Sequence, residues 1–192
     1  MKPVSITMLT ICGISELPDQ RERSVTHVLS ILDPEHPDPE AFGAYDPHHR
    51  TILRFHDIIN PIPGMILPQP EHVEAVLSFG EALAGSKAER TEGHLLVHCH
   101  MGVSRSTAAM LTLMAQAEPD ESEDRLFERL REIRPQAWPN SRMIAFADDL
   151  MARNGRLTDA LRRHYGHQIR TMPHFVELMH DLGRSREVEM AA

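Results

Sequence analysis

LLVHCHMGVSRSTAAM, residues 95–110, is the stretch whose reading decides the fold. An apolar run, Leu95–His98, stops on Cys99. The chain then turns through Gly102, and a stretch apolar on nearly every side starts close to Arg105. A strand, a tight loop and a helix in that order gather several backbone N–H groups and the positive end of a helix dipole around one small bowl. Such a bowl binds an anion. Gly102 lets the backbone bend and approach a ligand closely, and the planar fork of Arg105 matches two phosphate oxygens. Cys99 lies at the base, where electropositive surroundings favour its thiolate. The spacing therefore sets a nucleophile beneath a held phosphate.

Working outward, short β-branched runs at Val4–Ile11, Val25–Leu32 and Thr51–His56 read as further strands. Helical spacing runs over Glu71–Ala84, with Pro70 at the first helical position, and over Thr107–Ala117. It recurs over Asp120–Ile133, whose acidic start suits a helix N-terminus, over a helix capped by Asn140 or Ser141, and over Leu157–Tyr165 and His174–Leu182. The pattern predicts an α/β fold, a sheet with a helical layer built largely from the C-terminal half. It fits a single domain over 1–192: a strand-rich part with proline-rich loops (1–93), the phosphate-binding loop and its helix (94–110), and a helical layer (111–192). The loops Asp33–Arg50 and Ile58–Pro70 stand out for proline, and the second also for exposed-looking apolar residues, which suit a flap packed on the core.

Composition narrows the functions. The 192 residues carry a net charge of −8, with 41% apolar and 25% charged residues. That argues against a broad nucleic-acid or membrane footprint, so an anion site must be a local concentration of donors. Two cysteines are too few for a disulfide framework, which points to a reducing, cytoplasmic setting. The start, VSITMLTIC, reads as a first strand and not as a secretory signal, and no run has the length of a membrane span.

HCHMGVSRS resembles the HC-x5-R-S/T signature of the cysteine-based protein tyrosine phosphatases, and its GxSRS ending is most similar to the small dual-specificity branch. RFHDI resembles the family's general-acid segment, and RPQAWPNSRMIAF the later RP…PN…F segment of that branch. The resemblance covers about residues 50–150. It implies an α/β fold with a mostly parallel central sheet of about four to five strands flanked by helices, and phosphomonoester hydrolysis through a cysteinyl-phosphate intermediate, without metal or cofactor. Cys99 would be the nucleophile and Arg105 the phosphate clamp. The Ser106 hydroxyl would help the sulfur leave, Asp57 would be the general acid, and His98 would support the loop. His100, Met101, Gly102, Val103, Ser104 and Arg105 would bind the phosphate or another oxyanion. The separation between Asp57 and Cys99 is longer than is usual for the branch, the excess falling in Ile58–Pro70 and Gly85–Gly93.

Chemistry alone also asks for an acid to protonate the leaving oxygen. Asp57 closes a strand, where ligands bind in α/β sheets; Asp33 and Asp46 are the alternatives. His98 and His100, with His48, His49 or His56, offer a competing metal reading that needs ligands at other strand ends. Cys12 reads as a core thiol, with a redox partnership to Cys99 as the alternative. Arg125, Arg129, Arg131 and Arg134 read as a solvated helix face. The expected substrate is a phosphorylated protein or small phosphomonoester. The absence of lysine from the loop speaks against polyphosphoinositides and favours phosphotyrosine, alone or with phosphoserine and phosphothreonine. A catalytically silent phosphate-binding module and a phosphatase for a non-protein substrate such as an inositol phosphate are the alternatives.

Overall fold

The computed structural model describes residues 5–85 and 92–192; Val4 and the greater part of the Gly85–Gly93 stretch lie outside them. Four strands, β1 (Ser5–Cys12), β2 (His27–Leu32), β3 (His49–Arg54) and β4 (Glu92–His98), form one sheet in the order β1-β4-β2-β3. Every neighbouring pair is parallel. The C-terminal ends of the strands therefore emerge together, bringing Cys12, Cys99, Asp33 and Phe55 side by side in that order, as α/β sheets place their ligand sites.

Side chains alternate across this sheet. Ile11, Leu29, Ile31, Leu95 and Val97 face the main core, whereas Cys12, Val28 and Leu96 face a smaller one. The main core is filled by α1 (Pro70–Gly85), α2 (Arg105–Ala117), α3 (Glu123–Ile133), α4 (Ser141–Leu150), α5 (Arg156–Thr171) and α6 (Phe175–Asp181). Residues of α2 from Arg105 to Ala115 are buried, as its nearly uniform apolar sequence requires. The smaller core is closed by two 3-10 segments, Ile14–Arg23 and Glu40–Ala44, through Leu17 and Phe42. The helices thus cover one face, and short irregular turns cover the other.

Several boundaries differ from the sequence expectation. β3 ends at Arg54, because Phe55 and His56 leave the strand. The Phe55 N–H still reaches Leu32 O (3.0 Å), while His56 turns to the following loop. α3 starts at Glu123, since Ser122 Oγ accepts from Arg125 N (3.3 Å) and fixes the N-terminus there. Asn140 is the cap of α4, its Oδ1 accepting from the Arg142 and Met143 N–H groups (3.1 and 3.2 Å). A last short helix, α7 (Ser185–Glu189), was without signal in the sequence. No helix among the described residues is long and apolar enough to cross a membrane.

Candidate active site

The turn from β4 into α2 makes the bowl. The carbonyls of His100 to Ser104 are all engaged, each by a group outside the bowl. His100 O accepts from Ile14 N (2.9 Å), and Val103 O from Trp138 N (2.8 Å). Ser104 O accepts from Ala108 N (3.0 Å), while Met101 O and Gly102 O accept from Arg134 (3.1 and 2.9 Å). The amides of His100 to Ser104 donate to no protein group among the described residues. With the carbonyls engaged from outside, those N–H groups line the concave side, which is the geometry of an anion nest. Ser104 sits at the N-cap of α2, yet its hydroxyl makes no cap bond. The helix's first amides are thus left without that partner.

Gly102 is required by two constraints at once. Its φ is +67°, and a Cβ there would lie 2.4 Å from Cys12 C and 2.6 Å from Gly13 N. The loop rests directly on the backbone that ends β1.

Cys99 is buried, and its Sγ lies 3.1 Å from Ser106 Oγ. Arg105 is also buried. Its Nη1 bonds Asp33 Oδ1 (2.6 Å) and Phe55 O (2.5 Å), which holds the side chain across the ends of β2 and β3. Its Nε is a buried donor with no partner among the described residues, an arrangement native interiors avoid unless a ligand completes it. Asp33 also faces His100, whose Nδ1 lies 3.7 Å from Asp33 Oδ2 and whose Nε2 accepts from Asp33 N (3.2 Å).

Asp57 lies beside the loop. Its Oδ1 accepts from Ser104 Oγ (2.7 Å), Asn140 Nδ2 (3.0 Å) and Arg184 Nη1 (3.4 Å). Oδ2 accepts no hydrogen bond among the described residues. Burial pushes its pKa up, but the charges of Arg184 and Arg105 and the bonds from Ser104 and Asn140 outweigh that and hold it below the usual carboxylate value. Asp46 is exposed just ahead of β3, at the opposite edge of the sheet.

The loop after Asp57 is pinned. His56 N donates to Ile66 O and Ile66 N to His56 Nδ1, both at 2.8 Å, and Arg142 Nε holds Pro68 O (2.8 Å). Ile58 and Ile59 pack inward as a flap would, whereas Ile62, Met65 and Ile66 stay exposed.

His98 points to the second face of the sheet, where its Nε2 meets Ser30 Oγ (2.6 Å). Burial, with the charges of Arg50 and its neighbours, pulls its pKa down to about 3. His98 and His100 therefore diverge, and among the described residues no group of His, Cys, Asp or Glu is arranged to hold a metal ion. Cys12 sits in the smaller core, on the other face from Cys99. Burial and the charge of Glu16 raise its thiol to about 12.

Four of the side chains that complete the site escaped the sequence reading. Arg134 and Glu16 brace the loop, and Arg184 reaches it from the C-terminal segment, held there by Glu187. The arginine face therefore divides. Arg125 and Arg129 pair with Glu128 and Glu118, as a solvated face does. Arg131 instead donates to His164 Nδ1 (3.0 Å), and Arg134 turns inward because its fork finds both a carboxylate and two loop carbonyls. Arg134 opens the RPQAWPN segment, which was the available signal; for Arg184 and Glu187 none existed.

A protein-tyrosine phosphatase family model matches residues 67–153, which hold the loop and helices α1 to α4. No curated protein matches in sequence. Among solved structures, human DUSP28 is 21% identical with a TM-score of 0.53, covering 76% of this chain and 94% of its own. The PTP-2 phosphatase of Cydia pomonella is 16% identical with a TM-score of 0.55, covering 74% and 85%. The Yvh1 phosphatase domain of Chaetomium thermophilum is 23% identical with a TM-score of 0.50, covering 78% and 93%. The chain has the fold of the cysteine-based protein tyrosine phosphatases, and the matched family model spans the loop from Cys99 to Arg105.

Proposed function

We propose that this protein hydrolyses phosphomonoesters with Cys99 as nucleophile, and that its substrate is phosphotyrosine in proteins, alone or with phosphoserine and phosphothreonine. The observation that carries this reading is a set of unpaired donors in and beside the turn that follows Cys99: the loop amides and the Arg105 Nε. In the first step the Cys99 thiolate attacks phosphorus. The phosphorus–oxygen bond to the leaving group breaks, and Asp57 gives that oxygen its proton. In the second step water attacks the cysteinyl phosphate, and the Asp57 carboxylate takes a proton from the water. The phosphorus–sulfur bond breaks, with the Ser106 hydroxyl donating to the departing sulfur. The amides and Arg105 hold the equatorial oxygens throughout, where charge stabilisation is greatest.

The rim supports an aromatic ester. Met101 is 56% exposed on the loop, and a thioether packs favourably against an aromatic ring. The loop holds no lysine for additional phosphates. One observation favours a silent phosphate-binding module instead: the Asp57 carboxyl is held in its ionised form, which is the wrong state for donating a proton.

Hydrolysis of an aryl phosphate near pH 6 in excess chelator, comparing native protein with Cys99→Ser, decides among these readings. Chelator-resistant turnover abolished by the substitution is the expected result. Loss of turnover in chelator points to a metal, and vanadate binding without turnover points to a binding module.

A further inference from the structure

Arg184 and Glu187 are 2% and 0% exposed, in a segment beyond the family match. Arg184 Nε and Nη2 fork onto the two oxygens of Glu187, each at 2.8 Å. Glu187 is held in turn by Trp138 Nε1 and Ser141 N, also at 2.8 Å. A buried ion pair persists only when its remaining donors and acceptors are satisfied. The donor left over on Arg184 is Nη1, and it goes to the site, 2.7 Å from Ser104 Oγ and 3.4 Å from Asp57 Oδ1.

We propose that Arg184 is a positioning residue of the phosphatase reaction, delivered by the C-terminal segment, which fixes the Asp57 carboxyl through Oδ1 and through Ser104 so that Oδ2 is left for the proton transfer. The proposal rests on reading Asp57 as the acid. Donors from three parts of the chain converge on Oδ1: the loop, the cap of α4 and the residue ahead of α7. A carboxyl held in this way cannot rotate, and such constraint is how proton donors are kept in reach of a leaving oxygen.

The charged and titratable groups facing Asp57 are Arg184, Arg105 and His100, with Tyr165 nearby on α5 and Glu187 behind Arg184. Of the two cations, Arg184 exerts the stronger pull toward the ionised form. A structural brace alone would not carry that electrostatic signature to the reaction.

The test uses the full chain with Arg184→Met and Glu187→Gln together, so that no buried charge is left unpaired. Two quantities are followed: the titration of the Asp57 carboxyl by carbon NMR, and the descending limb of kcat/KM against pH. Both should move upward by about one pH unit or more, with kcat reduced. A uniform loss of kcat with both midpoints unmoved overturns the proposal.

Trp138, the single tryptophan, donates to Glu187, so its emission reports whether the segment still docks. If the paired variant undocks, Arg184→Lys carries the test. It keeps the charge and loses the fork, so kcat should fall while the Asp57 midpoint moves less. An unchanged kcat there overturns the proposal too. If the native protein hydrolyses no phosphomonoester, the phosphatase reading fails, and the NMR midpoint still reports whether Arg184 governs Asp57.

Discussion

Arg134 and Glu16, 118 residues apart in the chain, meet in a two-pronged ion pair, with Nη1 on Oε1 and Nη2 on Oε2, each at 2.8 Å. The same guanidinium bonds Gly102 O and Met101 O, and Glu16 Oε2 accepts from Gly13 N (2.6 Å). The outer wall of the phosphate loop is thereby tied to the turn after β1. The bond from Arg134 leads the effects that lower the Glu16 pKa, so the pair stays charged. Arg134→Ala leaves two loop carbonyls without partners, and it should destabilise the protein by about 1–3 kcal/mol and weaken vanadate inhibition. Arg134→Lys should rescue little, since an ammonium cannot span both a carboxylate and two carbonyls. Melting temperature and vanadate Ki measure the two effects, and full rescue by lysine would contradict the clamp.

Gly102→Ala should nearly abolish oxyanion binding. The clash is with the backbone of Cys12 and Gly13, which cannot rotate away as a side chain would, and the positive φ adds strain. Gly43 has open space around its Cβ position and no positive φ, so Gly43→Ala should leave binding within error. Titration calorimetry with phosphate compares the two; equal effects would mean that the close approach is unimportant.

Ser106→Ala removes the hydroxyl 3.1 Å from the Cys99 sulfur, the nucleophile of the proposed reaction. A hydrogen bond to a charged group contributes about 1.5–3 kcal/mol, so breakdown of the cysteinyl phosphate should slow by on the order of tenfold to a hundredfold. Rapid mixing with an aryl phosphate should then show a burst of released phenol followed by a slower steady state. A variant without a burst, its steady state equal to the native one, would remove Ser106 from the second step.

Much of this was legible in the sequence because it is local. The strand, loop and helix at 95–110 carry their own apolar pattern and turn chemistry, and the Asn140 cap can be read from the residues that follow it. The braces are not local. Arg134 finds Glu16, and Arg184 finds Ser104 and Asp57, across 80 residues or more. Nothing in the periodicity of either segment marks these arginines as different from solvent-facing neighbours. Glu187 is the sharper case: a glutamate in a short polar helix reads as surface, yet it is fully buried because Trp138, Ser141 and Arg184 satisfy it. The Asp57 acid assignment stands between the two. That it follows β3 was legible, although the strand stops three residues earlier at Arg54, whereas the donors that set its ionisation come from distant parts of the chain.

Acid should unfold this protein through its buried histidines. His164 Nδ1 accepts from Arg131 Nη1 (3.0 Å), and its Nε2 lies 2.9 Å from Ala137 O, so the ring is neutral with its proton on Nε2. Protonation would set a second N–H against a guanidinium. Burial first, and then the charges of Arg131 and His167, bring its pKa down to about 3, and His98 is lowered to about 3 as well. In the unfolded chain both titrate near about 6.5. Below that pH the unfolded state takes up protons that the folded state refuses. The stability these rings contribute is complete above about 6.5 and is lost progressively toward 3, by a total on the order of several kcal/mol. Urea unfolding at intervals from pH 7 to pH 4 should show the fall. His164→Gln, which can still donate to Ala137 O, should flatten the dependence while lowering stability at pH 7. A variant that is less stable at every pH by the same amount would show that His164 does not titrate on unfolding.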